Sequence, residues 1–151
     1  MADNLSLIEH WLDPLIENLS QSQRRKFFRK IGVSLRKRQV DRIKAQKNPD
    51  GSGFAPRKKT TQKKSGSIRR RKDMFLKLRQ ARHLKISANA KGVAVGYSGK
   101  AAMIAKIHQY GLLSRVMQKG PLYQYPVRKL LGFSREDTDW LLDEIKEHLI
   151  K

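Results

Sequence analysis

The chain has 151 residues, 38% of them hydrophobic and 31% charged, enough to bury the core of one domain but at the polar end of globular composition. Its 34 Lys and Arg against 13 Asp and Glu give a net charge of +21, which makes a polyanion a natural partner or neighbour. The absence of cysteine excludes disulfides, a thiol nucleophile and a cysteine-based metal site, and no apolar run reaches the roughly 20 residues of a membrane span.

The charge is unevenly placed. Residues 1–20 carry Asp3, Glu9, Asp13 and Glu17 with no Lys or Arg, and residues 134–151 hold six acids against three bases. Between Gln21 and Lys85, 24 Lys or Arg stand against Asp41, Asp50 and Asp73, so this segment accounts for the whole net charge. The N-terminus lacks the basic-then-apolar layout of a signal peptide, and the expectation is a soluble protein used without secretion, with no membrane partner.

Leu5, Ile8, Leu12, Leu15 and Leu19 recur every three or four residues, the stripe of an amphipathic helix. Asp13-Pro14 predicts a break, with a second short helix beginning at Pro14. Ser20 and Gln23 have the spacing of a capping box, so the next helix starts there. Phe27, Phe28, Ile31, Val33, Leu35, Val40 and Ile43 are its apolar members, and Gly32 permits a close contact. Its end is expected near Lys47, because Pro49, Asp50 and Gly51 form a dense turn signal.

Residues 48–72 read as a long basic loop anchored at Phe54. Lys58, Lys59, Lys63, Lys64, Arg69, Arg70 and Arg71 are either a solvated charge run or an arm for nucleic acid or an acidic partner. Met74, Phe75 and Leu78 suggest a helical turn. His83 to Ser87 and Gly92 to Tyr97 alternate like strands around a turn at Asn89 to Gly92, which predicts a β-hairpin. Gly99 to Gln109 returns to helical texture, with Gly111 placed for a C-terminal cap. Pro121 and Pro126 make Leu112 to Phe133 loop and extended chain. Ser134 caps the last helix, whose stripe is Leu141, Ile145 and Leu149 flanked by Trp140 and Leu142. The expectation is a small single-domain α+β protein over residues 1–151.

Little in this order carries chemistry. His10, His83, His108 and His148 lack metal-ligand spacing, so no metal or other cofactor is expected. The glycines form neither a P-loop nor a dinucleotide fingerprint, and the acids after Ser134 suit the first turn of a helix. His108 is the one tempting general base. It has no nominated partner, and a helix's last turn favours a histidine for electrostatic reasons alone. No catalytic residue is assigned, and an enzyme is not expected.

Three stretches do carry a resemblance. "RIKAQKNPDGSGFAPR" from Arg42 to Arg57, "KIHQYG" from Lys106 to Gly111 and "YPVRKLLGFS" from Tyr125 to Ser134 resemble successive blocks of the phage virion morphogenesis, or tail-completion, family of contractile-tailed phages, in the family's order. The matching positions are the turn at Pro49, Asp50, Gly51, Phe54 and Pro56, then Ile107 to Gly111, then Pro126, Arg128, Leu131 and Gly132. Phe54 stands where the family more often has Trp.

The resemblance implies a non-enzymatic structural protein that finishes the tail at its head-proximal end and serves head-tail joining. It implies copies of the chain as partners, with a hexameric ring as the expected form, together with tail tube, sheath or neck proteins. The implied location is the tail or neck of the virion, and the host cytoplasm during assembly. On this reading His108, Gln109, Tyr110, Gly111, Pro126, Arg128, Leu131, Gly132 and Phe133 are candidates for contact with a neighbouring subunit, and the basic loop faces DNA in the tail channel or acidic protein. A segment that only closes its own fold is the plain alternative for Leu112 to Phe133. The rival function is a stand-alone basic nucleic-acid-binding protein.

Overall fold

The computed structural model describes residue 10, residues 12–57 and residues 73–149. Helix α1 covers Gln21–Lys44, strands β1 (Leu84–Ala88) and β2 (Val93–Tyr97) pair as a hairpin, α2 covers Gly99–Tyr110, β3 (Leu113–Arg115) and β4 (Leu122–Gln124) pair again, and α3 covers Arg135–Leu149. The architecture is the α+β class expected. None of the described helices is long and apolar enough to cross a membrane.

Two compact units divide the chain, one formed by Met1–Arg38, Lys85–Gly96 and Phe133–Lys151, the other by Gln39–Leu84 and Tyr97–Gly132. In the first, Phe27, Ile31 and Ile145 form the buried core, with Phe28, Val93, Trp140, Leu141 and Leu149 packed on it. Gly32 is there because a larger residue does not fit: a Cβ would sit 2.6 Å from Ile86 Cγ2 and 2.7 Å from Val93 Cγ2. Helix α3 begins with a reciprocal cap. The Asp137 amide donates to Ser134 Oγ at 3.0 Å, and the Ser134 amide donates to Asp137 Oδ2 at 3.0 Å. Arg38 Nε donates to the other oxygen of Asp137 at 2.6 Å and lies 5.0 Å over the Trp140 ring. The acid of the first turn is thus a structural group, buried and satisfied on both oxygens.

In the second unit Ile43, Phe54, Leu78, Ala101, Ala105 and Leu130 make the core, joined by Met74, Phe75 and Tyr97. The isolated bridge between Lys47 and Gly53 closes the expected turn, and Gly51 takes φ 87° within it. Asp50 accepts from the Ser52 hydroxyl at 2.5 Å and from the Ser52 amide at 2.9 Å, and these bonds, the hydroxyl's first, hold its carboxyl below the usual range.

Four expectations are corrected. Residues 12–17 are helical through Asp13 and Pro14, because proline at that point has a helical φ and forfeits a single amide donor. Val33, expected on the apolar stripe of α1, is 49% exposed. Helix α1 stops at Lys44 rather than near Lys47, since Gln46 adopts φ 57° and turns its amide back on the helix end. Its Nε2 donates to the carbonyls of Ile43 at 2.7 Å and Met74 at 3.0 Å, while its Oε1 accepts from the Met74 amide at 2.8 Å. Finally, the stretch read as loop and extended chain from Leu112 to Phe133 contains a pairing that reading lacked, the β3–β4 hairpin, whose register pairs Leu113 with Gln124 and Arg115 with Leu122. Its strands are too short to show alternation in the sequence.

Candidate functional site

The blocks that carry the resemblance meet in space within the second unit. Arg128 on the third block is 3% exposed. Its Nε donates to the Ala55 carbonyl at 2.7 Å and its Nη2 to the Pro56 carbonyl at 2.9 Å, both on the first block. Its own amide donates to the His108 carbonyl at 2.8 Å, on the second block. Gln109 exchanges a reciprocal pair with Leu131, donating to its carbonyl at 2.9 Å and accepting from its amide at 3.0 Å. Arg42 donates to the carbonyls of Lys129 at 2.9 Å and Leu130 at 3.0 Å, and the Lys129 amide donates to Asn48 Oδ1 at 2.9 Å. Side chains here satisfy backbone groups of segments far away in sequence, which turns three turn-rich stretches into one rigid junction.

His108 sits inside this junction. Its ring meets Phe75 edge-on at 4.8 Å and Tyr125 at 5.0 Å, and Arg128 Nη1 lies 3.2 Å from its Nδ1. A guanidinium only donates, so Nδ1 accepts and the imidazole is neutral with its proton on Nε2. Burial, reinforced by the Arg128 charge, pushes the imidazole down to about 4. This corrects the reading from the helix's last turn: the helix end would favour a charged histidine, but desolvation and the adjacent cation outweigh it. Helix α2 ends at Gly111, which takes φ 60° and sends its amide to the Ile107 carbonyl. A Cβ there would meet Val127 Cγ2 at 2.8 Å and the Tyr125 carbonyl at 3.0 Å. Gly132 is held as closely, with Pro49 Cγ 2.6 Å from a built Cβ.

The nine interface candidates therefore divide. His108, Gln109, Gly111, Arg128, Leu131 and Gly132 point their contacts inward and hold the junction; Pro126 and Phe133 are half-buried. Tyr110 is 66% exposed. The seven basic-loop candidates, Lys58 to Arg71, lie outside the described residues. Glu144, Glu147 and His148 bring ligand-type atoms within 4.8 Å of one another, with Lys30 Nζ 2.7 Å from His148 Nε2 and 3.5 Å from Glu144 Oε2. A cation of the chain already faces that cluster.

Sequence reasoning missed the surface next to the junction. On the β3–β4 hairpin the amphipathic sense is inverted: Leu113, Val116, Met117 and Leu122 are 57–70% exposed, while Ser114 and Tyr123 face inward. A cavity of about 320 Å³ opens beside it, walled by Phe75, Tyr123 and Tyr125, with Arg57 and Arg128 among its lining. A second cavity of about 300 Å³ lies between Tyr97, Ala102, Ala105 and Tyr110. Burial pushes the Tyr97 hydroxyl up to about 12. Among the described residues, no pair of carboxylates and no nucleophile with an adjacent base lines either cavity.

A family model described as the phage virion morphogenesis family matches residues 3–150. The chain belongs to this family. The virion morphogenesis chain is similar to the tail completion protein S of Escherichia phage P2, 40% identical over 143 residues that span 93% of this chain and 94% of the relative. No solved structure matches. The resemblance read from three short blocks thus holds across nearly the whole sequence, and the junction shows why those blocks occur together in this chain: each supplies what another's backbone needs.

Proposed function

We propose that the chain is a structural, non-enzymatic protein of the phage particle that completes the tail. Its place is the head-proximal end, where it serves head-tail joining as a ring of copies, six being the number the sixfold tail axis suggests. The observation that carries the reading is the 40% identity to a tail completion protein over 93% of the chain. The inverted hairpin supports it, because apolar side chains clustered at a surface mark contact with other proteins. The motif residues form the rigid base of that surface, and the hairpin with Tyr110 forms the contacting part. A head-to-tail contact between copies closes into a ring if its rotation fits the axis. The chain reaches the virion by assembly in the host cytoplasm, and its basic middle lies against DNA or acidic protein.

Electron microscopy of particles made with and without the chain tests this. Loss of the chain is expected to leave heads beside unjoined or irregular tails, and wild-type particles to show a ring of density at the top of the tail. Complete, normally joined particles in its absence would overturn the reading and leave the +21 charge, with binding to nucleic acid, as the guide to function.

A further inference from the structure

The cavity beside the hairpin has a composition that the assembly reading leaves unused. Two guanidiniums, Arg57 and Arg128, share it with no carboxylate among the described residues of its lining, and their like charges act on one another. Arg128 uses three of its N–H groups on Ala55, His108 and Pro56, out of the five that a guanidinium carries. Arg57 is exposed, and its Nη2 donates to the Asp73 carbonyl at 3.4 Å. That bond joins the two ends from which residues 58–72 depart, and those residues carry eight Lys or Arg and no acid. The lining also includes Val116, 57% exposed, which is followed in the chain by Met117, 70% exposed.

We propose that this cavity and the adjoining hairpin receive an acidic segment of a different protein. A carboxylate of that segment pairs with the exposed Arg57, with the buried charge of Arg128 behind it, and a neighbouring aromatic side chain enters between Phe75, Tyr123 and Tyr125. This rests on reading the hairpin as an assembly surface and names what that surface takes. A bidentate guanidinium site suits a carboxylate, and the cavity volume equals that of about ten waters, room for one bulky side chain.

Three observations favour protein over the alternatives. The rings are tilted 74–78° in successive pairs, Phe75 on His108, His108 on Tyr125 and Tyr125 on Tyr123, so their faces are spent on one another rather than offered as a platform for bases. Val116 in the lining and Met117 beside it in the chain are exposed apolar residues, which suits a protein interface and not a phosphate backbone. A second copy of the chain carries a net +21, although its residues 134–151 hold six acids against three bases, so net charge favours a different, acidic protein as the match for two guanidiniums.

Titration calorimetry of the full chain tests the proposal with two capped peptides, one carrying two acids on each side of a central Phe and the other identical but with Ser at the centre. An oligothymidylate serves as a third probe. The Phe peptide is expected to bind about tenfold tighter than the Ser peptide, the gain from burying one aromatic ring in part. Arg57→Glu and Val116→Asp, both at exposed positions, are each expected to remove that preference while leaving the melting temperature unchanged. Equal binding of the two peptides, or a preference that survives both substitutions, overturns the proposal. Oligothymidylate binding that Val116→Asp abolishes assigns the site to nucleic acid instead, and self-association that the same substitution abolishes assigns it to a second copy; either result overturns it. If particles carrying Val116→Asp fail to complete their tails although the peptides bind alike, the assembly reading stands and this one falls.

Discussion

Arg128 shows how much a single side chain can organise. From a buried position it binds carbonyls of Ala55 and Pro56 and approaches His108, and burial lowers its own proton affinity. Lysine supplies a point charge without the planar fork, so Arg128→Lys leaves carbonyls unsatisfied in the interior and is expected to cost about 2–4 kcal/mol. Chemical denaturation of the two proteins measures it, and a loss within error of zero would mean that the fork is replaceable. This also changes which substitutions can probe assembly: replacing Arg128 and Leu131 together disturbs the fold itself, so exposed positions must be used.

His108 gives a pH dependence whose sign follows from its environment. Its folded value, about 4, lies below the ordinary value near 6.5 of an unfolded chain, so the unfolded state takes up the proton first. The stability it confers is complete above about pH 6.5 and is lost as pH falls towards 4. An NMR titration is expected to show the His108 ring neutral throughout the range in which exposed histidines titrate. A His108→Gln protein is expected to lose less stability than wild type between pH 7 and 5. A His108 midpoint near 6.5 would mean that the ring is solvated and the junction looser than described.

At the scale of elements, helix ends differ in how replaceable they are. Ser134 caps α3 with one hydroxyl, and Ser134→Ala is expected to cost about 1 kcal/mol. Gly111 ends α2 at φ 60°, with backbone atoms of Tyr125 and Val127 within 3.2 Å of where a Cβ would go. Backbone cannot move aside as a side-chain tip can, so Gly111→Ala combines left-handed strain with a clash and is expected to cost about 2–3 kcal/mol. Thermal melts of both variants check the order, and equal losses would contradict it. The caps at Ser20, Gly111 and Ser134 were all legible in the sequence because capping is decided within four residues. The early end of α1 was not, because the Gln46 amide caps it by way of Met74, 28 residues away.

For the whole molecule, the separation of a folding junction from an exposed hairpin predicts that the two fail differently. Val116→Asp with Met117→Lys alters residues 57% and 70% exposed and is expected to leave the melting temperature within about 3 °C, since a surface change seldom exceeds 0.5 kcal/mol. The same protein is expected not to enter particles, as judged by its amount in purified virions. Normal incorporation would show that the hairpin contacts nothing in the tail. Substitutions at the junction should instead lower stability and incorporation together.

The sequence by itself determined the three long helices, the first hairpin and the family. Helix stripes, a capping box, turn residues and the first hairpin are local patterns, and three ordered blocks sufficed for the resemblance. It also revealed the uneven charge, which no folding changes. What only the tertiary structure decided is which residues face whom. Arg128 and His108 look like surface groups in a basic chain, yet long-range hydrogen bonds and desolvation make them interior. Leu113 and Leu122 are apolar, yet the short β3–β4 hairpin turns them to solvent. Burial depends on partners distant along the chain, and a linear pattern carries no record of them.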